Sequence, residues 1–238
     1  MSPEERRIQS ILTLIKLHSV EPQAREAKVS IGATDLDDCA VVNLSSTIDL
    51  CIGSDFVRGE GFLLFQLGLL SRAQIGHYLV GANLSDIAAM GATPVGLVVA
   101  ARYGPRQSDE QFAEIMEGVV RACSMYGAPL LGGDTGSYEL PVLSASAFGV
   151  CPPGKALLRR NGKPGDMVYL SGSIGTAGAA FALFSKNKHL ASTLPSAVID
   201  ELLLPWRQVS PAIEHGKLLV ESGYSKLRIP AIVTADSG

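Results

Sequence analysis

The sequence predicts an α/β (α+β) protein, with a mixed sheet flanked by helices in its first part and a second α/β unit after it. Three observations carry that expectation. Short β-branched runs alternate with segments of helical periodicity, glycine and proline punctuate the changes, and 47% of the 238 residues are hydrophobic against 18% charged. Such a balance supports a buried core and excludes a disordered chain.

Taken in order, residues 4–18 set Ile8, Ile11, Leu12 and Ile15 at helical spacing, so an amphipathic helix opens the chain. Residues 39–42 and 47–56 alternate like strands. A long helix is expected over residues 71–90, ended by Gly91 and kept from continuing by Pro94. Residues 95–103 read as a buried strand. Ser108 then opens a helix, with Gln111 completing a capping box, the stripe Phe112, Ile115, Met116, Val119, Val120 and Cys123 facing inward, and Gly127 at the end.

Strands follow near 129–131 and over 140–150, and Cys151-Pro-Pro-Gly154 breaks both periodicities. That break predicts two domains, 1–151 and 152–238. In the second, residues 167–171 read as a strand, 175–184, 197–204 and 211–222 as helices, and 231–234 as a strand. No helix follows that last strand to cover it, which leads us to expect an incomplete second domain with further residues beyond Gly238.

The formal net charge is −3 and no Lys/Arg block exists, which excludes the basic footprint of a nucleic-acid protein. Cys39, Cys51, Cys123 and Cys151 lie in apolar stretches without metal-finger spacing, so they read as core thiols. Apolar runs such as 95–101 are far too short to span a bilayer. A cytoplasmic enzyme with no membrane partner is the expectation.

The chemistry is concentrated in acidic residues set among apolar or glycine-rich neighbours. Asp37 and Asp38 precede Cys39-Ala-Val-Val42, Asp55 ends a strand, Asp86 interrupts Asn83-Leu-Ser-Asp-Ile-Ala-Ala-Met90, and Asp134 follows Leu130-Leu-Gly-Gly133. A carboxylate in such surroundings needs a partner, a hydrogen bond or a cation. Magnesium takes carboxylates together with water and substrate phosphates, so aspartates gathered from several strand and helix ends would make a phosphate–metal site. Taken singly, each has a plainer reading: Asp37, Asp38 and Asp134 as turn residues, Asp86 as a solvated helix position. Gly132-Gly-Asp-Thr-Gly136 is a glycine-rich loop by composition but neither a P-loop nor a dinucleotide fingerprint. Gly172-Ser-Ile-Gly-Thr-Ala-Gly178 reads more readily as close packing than as an anion site.

In order along the chain, these segments resemble thiamine-monophosphate kinase, of the aminoimidazole ribonucleotide synthetase-related ATP-binding superfamily. Asp37-Asp-Cys-Ala-Val-Val42 is similar to the family's Gly-Asp-Asp-Ala-Ala-Val segment, and Asp55-Phe-Val-Arg-Gly-Glu-Gly-Phe62 resembles the stretch after its next strand. Asn83-Leu-Ser-Asp-Ile-Ala-Ala-Met-Gly-Ala-Thr-Pro94 is the strongest match, joined by Gly132-Gly-Asp-Thr135, Leu158-Arg-Arg-Asn-Gly-Lys-Pro-Gly-Asp166 and Val168-Tyr-Leu-Ser-Gly172. The resemblance implies ATP as substrate and Mg2+ held by Asp37 or Asp38, Asp55, Asp86 and Asp134. Asp134 and Asp86 would carry the catalysis. Gly133, Asp134, Arg159 and Asp236 would contact the nucleotide. It also implies a homodimer closed through a shared β-barrel, and transfer of the ATP γ-phosphoryl to a small phosphorylated metabolite such as thiamine monophosphate. Gly61 stands where the family has histidine, so the alternatives are a relative using the same ATP site on another acceptor, or a nucleotide-binding homologue without catalysis.

Overall fold

The computed structural model describes residues 2–18, 22–172 and 174–224. Helix α1 (Pro3–Leu17) starts at the Ser2–Glu5 capping box with proline in its first turn, and none of its residues is buried. Strands β1 (Lys28–Ile31), β2 (Ala40–Asn43) and β3 (Asp49–Val57) form an antiparallel run. A 3-10 turn at Gly59–Gly61 and the short α2 (Leu63–Gln66) lead to α3 (Arg72–Ala89). Then come β4 (Thr93–Tyr103), α4 (Asp109–Met125), β5 (Leu130–Ser137) and β6 (Val142–Cys151). The described residues from 174 on hold α5 (Thr176–Lys186), α6 (Lys188–Ala191), α7 (Ser196–Arg207) and α8 (Ile213–Glu221).

The six strands make one mixed sheet in the order β1-β2-β3-β6-β4-β5, with only β4 and β5 parallel. Helix α3 lies against one face, where Leu79, Leu84, Ile87 and Met90 are fully buried with Val41, Cys51, Leu97, Val99 and Ala147. Burying so many aliphatic side chains at roughly 1.5–3 kcal/mol each is what holds this layer to the sheet. Helices α3 and α4 cross at Gly76 and Gly118; a Cβ at either would fall within about 2 Å of a backbone carbonyl oxygen, of Ile115 and Ala73 respectively. The opposite face carries no helix among the described residues and leaves Phe56, Val95, Leu131 and Val142 exposed.

The elements expected over 4–18, 39–42, 47–56, 71–90, 95–103, 108–127 and 140–150 are present within a few residues. The Ser108–Gln111 box is formed, and Gly91 and Gly127 take the positive φ that ends their helices. Three expectations need correction. The glycine-rich 132–136 segment is strand, because β5 continues to Ser137 alongside β4. Residues 167–170 form no strand: Met167, Val168, Tyr169 and Leu170 are exposed, and no strand among the described residues pairs with them. At Gly172, Gly175 and Gly178 an added Cβ would meet nothing within 4 Å, so close packing does not explain those glycines; Gly175 caps α5 with φ +91°. The strand expected at 231–234 lies outside the described residues, as does Asp236.

A second core joins Phe62, Leu64 and Leu70 to Ala180, Leu183, Phe184, Leu203 and Trp206. The Phe62 ring lies 5.0 Å from Trp206, whose indole N–H donates to the Ala177 carbonyl at 2.9 Å. The helices after residue 151 therefore share a core with the segment that follows β3.

Candidate functional site

Strands β2 and β3 pair only as far as Ala40 and Ile52, and beyond that point β3 runs on toward Val57 with β6 as its one strand neighbour. Into the fork thus opened come Asp37 and Asp38 from the turn before β2, Asp55 from the stretch of β3 past its pairing with β2, and Asp86 from α3. The backbone dictates this gathering. Asp55 alternates with Gly53 and Val57, which face α3, and a Cβ on Gly53 would lie 3.5 Å from Asp86 Cβ and 3.0 Å from Cys39 Sγ. Glycine at position 53 is what lets α3 bring Asp86 this close to the sheet.

Arg159 closes the fork from the other side. Its backbone N–H donates to Asp37 Oδ2 at 3.1 Å, its Nε donates to Asp38 Oδ2 at 3.2 Å, and a second guanidinium N–H reaches Asp38 Oδ1. This two-point grip suits a guanidinium better than an ammonium. Asp38 is only 7% exposed in its side chain, so the pair is well shielded at the carboxylate end. Next to it, Arg160 bonds Asp35 at 2.8 Å, and Asp35 also accepts from the Gly32 N–H. Leu36, with φ +54°, turns the chain between Asp35 and Asp37. The segment 33–36 is thus folded as a 3-10 turn held by the tandem arginines.

Asp86 receives no such cation. Burial first, and then the negative charges of Asp38 and Asp55, push its carboxyl up to about 7, with Arg159 offsetting only part of this. Burial, followed by the charges of Asp86, Asp38 and Asp37, raises the Cys39 thiol, which is thereby kept un-ionised. Asp55 is held through its main chain: its N–H donates to Asn83 Oδ1 at 3.0 Å and its carbonyl accepts from Ser144 Oγ at 3.2 Å.

Asp134 is not part of this gathering within one chain. Asp55, Ala145, Val99 and Gly133 form one row across β3, β6, β4 and β5, which places Asp55 and Gly133 about 14 Å apart at ordinary strand spacing. Asp134 pairs with Ala100, Ala100 with Ser144, and Ser144 with Phe56, so Asp134 belongs to the open face while Asp55 belongs to the helix face. There it bonds Arg102 at 2.8 Å with its own side chain 70% exposed. Gly133 has a packing reason to be glycine, since a Cβ would fall 1.9 Å from the Val99 carbonyl oxygen of β4. Asp236, the remaining nucleotide candidate, lies outside the described residues.

No group of three His, Cys, Asp or Glu side chains among the described residues forms a ready-made metal cage. The fork nonetheless fits a magnesium-type ion, which takes one or two carboxylates and keeps waters and phosphate oxygens for the rest of its shell. The observation that supports the fit is Asp86 itself, a half-buried carboxyl raised by burial and by the charges of Asp38 and Asp55, which Arg159 offsets only in part. Two residues escaped sequence reasoning. Asn83 could have been suspected, as an amide inside an apolar helix must find partners; Arg102 gave no signal, because its partner is set by the β4–β5 register.

Comparison with known proteins agrees with this geometry. Residues 36–151 match the family described as AIR synthase related protein, N-terminal domain. Over 217 residues the chain is 28% identical to thiamine-monophosphate kinase of Escherichia coli K12, covering 91% of this chain and 64% of that protein. Thiamine-monophosphate kinase from Stenotrophomonas maltophilia K279a superposes with a TM-score of 0.64 at 26% identity, covering 91% of this chain and 63% of that one. The chain is thus similar to thiamine-monophosphate kinases, and its residues 36–151 to the AIR synthase-related N-terminal domain. It spans just under two thirds of the length of these relatives. AaThiL complexed with AMPPCP and TMP shares the fold, with a TM-score of 0.70 at 18% identity over 93% of this chain and 65% of that one. Among the described residues no helix is long and apolar enough to cross a membrane.

Proposed function

We propose that this chain carries the ATP- and magnesium-binding part of an ATP-dependent kinase that transfers the γ-phosphoryl of ATP to thiamine monophosphate, giving thiamine diphosphate. The observation that carries the reading is the convergence of Asp37, Asp38, Asp55 and Asp86 on one fork of the sheet, closed by Arg159. The kinship to thiamine-monophosphate kinase supports the same activity. Asp38, Asp55 and Asp86 would hold Mg2+, with Asp37 as its neighbour. The ion would supply charge neutralisation for the transferring phosphoryl group. Arg159 stands beside these carboxylates and is suited to contact phosphate oxygens. Because phosphoryl transfer asks for little covalent chemistry, these side chains act by positioning the phosphates and by matching developing charge.

A homodimer formed through the open sheet face belongs to the same proposal. Phe56, Leu131 and Val142 are exposed there, and a second copy would cover them. Asp134 and Arg102 would then lie at that contact, which would bring Asp134 into reach of bound nucleotide only within the assembly. Light scattering checks this: a monomer at micromolar concentration would count against it.

Thiamine monophosphate is the acceptor proposed, and one observation favours a different acceptor on the same ATP site. Gly61 stands in place of the family's histidine, and among the described residues a Cβ there would meet nothing within 4 Å. ADP and thiamine diphosphate formation by the longest form of the protein, with ATP, Mg2+ and thiamine monophosphate, separates the readings. Thiamine diphosphate that disappears in Asp86→Asn establishes the kinase. ATP binding without thiamine diphosphate moves the acceptor elsewhere, and no ATP binding leaves a scaffold.

A further inference from the structure

Asn83 lies inside α3, and its side chain is buried, with the residue 1% exposed. Its Nδ2 donates to the Leu79 carbonyl one turn back at 2.9 Å, and its Oδ1 accepts the Asp55 N–H at 3.0 Å. The same amide nitrogen lies 3.5 Å from the Asp55 carbonyl oxygen. Asp55 sits on the stretch of β3 that β2 has already left, since their pairing ends at Ala40 and Ile52. A half-buried strand edge that lacks a strand neighbour must find other partners for its N–H and C=O; Ser144 Oγ already donates to the Asp55 carbonyl, and the Asp55 N–H turns to Asn83. The Asn83 carboxamide presents one acceptor and one donor to that edge, as a peptide unit of an adjoining strand would.

Asp86 follows Asn83 by three residues on α3 and so shares its face. Helix and strand are therefore pinned at two places, Asn83 on Asp55 and, one turn on, Asp86 against Gly53, where a Cβ would lie 3.5 Å from Asp86 Cβ. Sliding α3 along β3 would break both together.

We propose that Asn83 is a positioning residue for the magnesium site: its amide replaces the missing strand neighbour of Asp55 and sets the separation between the Asp55 and Asp86 carboxylates. The inference rests on the metal-binding reading of the fork. A residue that orients metal ligands without touching the metal is commonly worth about 10–100-fold in metal affinity.

The test uses the full-length protein with Mn2+ as the probe ion, its binding followed by electron paramagnetic resonance, beside ATP-turnover kinetics. Asn83→Ser keeps the bond to the Leu79 carbonyl, which a serine hydroxyl makes readily within a helix, but is too short to reach Asp55. The expected result is a folded protein whose Mn2+ affinity falls about 10-fold or more, whose KM for metal–ATP rises by a similar factor, and whose kcat falls less. Should the serine variant fail to fold, Asn83→Thr fills more of the space with the same helix bond and carries the comparison. A lower melting temperature with unchanged Mn2+ affinity and KM makes Asn83 a structural residue only and overturns the proposal. Absence of Mn2+ binding in the wild type overturns the metal reading of the fork, and Asn83's part falls with it.

Discussion

Asp86 and Asp134 stand in similarly apolar, glycine-containing stretches of sequence, yet the fold treats them in opposite ways. Asp86 is turned into the fork beneath α3, crowded by Asp38 and Asp55, and held near a half-protonated state at neutral pH. Asp134 is turned outward on the last strand of the sheet, 70% exposed in its side chain and paired with Arg102. The difference teaches that a carboxylate's local sequence does not set its electrostatic state; the face of the sheet does. On one face unfavourable charge is stored in advance of a ligand. On the other a neighbouring arginine and solvent have already dissipated it.

The sharpest way to break this contrast is to neutralise each aspartate in turn. Asp86→Asn is expected to lower ATP turnover by about 100-fold or more. In metal-free buffer at pH 8 the same change should stabilise the fold by about 1–3 kcal/mol, because it removes a buried charge that repels its neighbours. Opposite signs for activity and stability are the outcome to look for; a loss of both would mean that Asp86 serves the fold.

The pH dependence sharpens the same point. In the folded chain Asp86 is raised to about 7 from an ordinary value of 3.8, so between these values the folded state holds a proton that the unfolded state has lost. The Asp86 contribution to stability is therefore present below about pH 4 and lost as pH rises toward 7. Chemical denaturation of the metal-free protein, wild type against Asp86→Asn, should show this decline in the wild type alone. Saturating Mg2+ should remove it by taking the proton's place.

Asp38→Asn is expected to cost about 1 kcal/mol, since Arg159 keeps one of its two hydrogen bonds but loses the other and its counter-charge, and its guanidinium is partly exposed. The smallest effect belongs to Asp134→Asn, which should change stability by no more than about 0.5 kcal/mol because the ion pair it breaks is exposed. Its turnover is the informative number. A loss matching that of Asp86→Asn would mean that the two faces meet in an assembly, whereas wild-type turnover would leave Asp134 as a surface ion pair.

Much of the fold was legible because helix ends and apolar stripes are local signals. Ser108 with Gln111 and Gly91 before Pro94 marked boundaries that the structure keeps. The half-buried acids Asp37, Asp38, Asp55 and Asp86 were legible for a related reason, as each stands within or beside an apolar run. What stayed hidden depends on partners distant in sequence. The 132–136 segment looks like a loop until β4 is laid beside it, and Met167–Leu170 looks like a strand but finds no partner among the described residues. Nor could local pattern tell that the β2–β3 pairing stops short, which is what creates both the fork and the role of Asn83.

The strand order has a consequence for how the protein is made. β6 lies between β3 and β4 although it is the last of the six to leave the ribosome. Val57 must therefore wait for Leu143, and Thr93 for Val150, before the middle of the sheet can zip. At about 5–20 residues per second of synthesis, that interval is several seconds in which β3 has an unsatisfied edge. During it the nascent chain is open to wrong pairings and to chaperones, and a mutation that slows the arrival of β6 would lower yield while leaving the finished molecule unchanged.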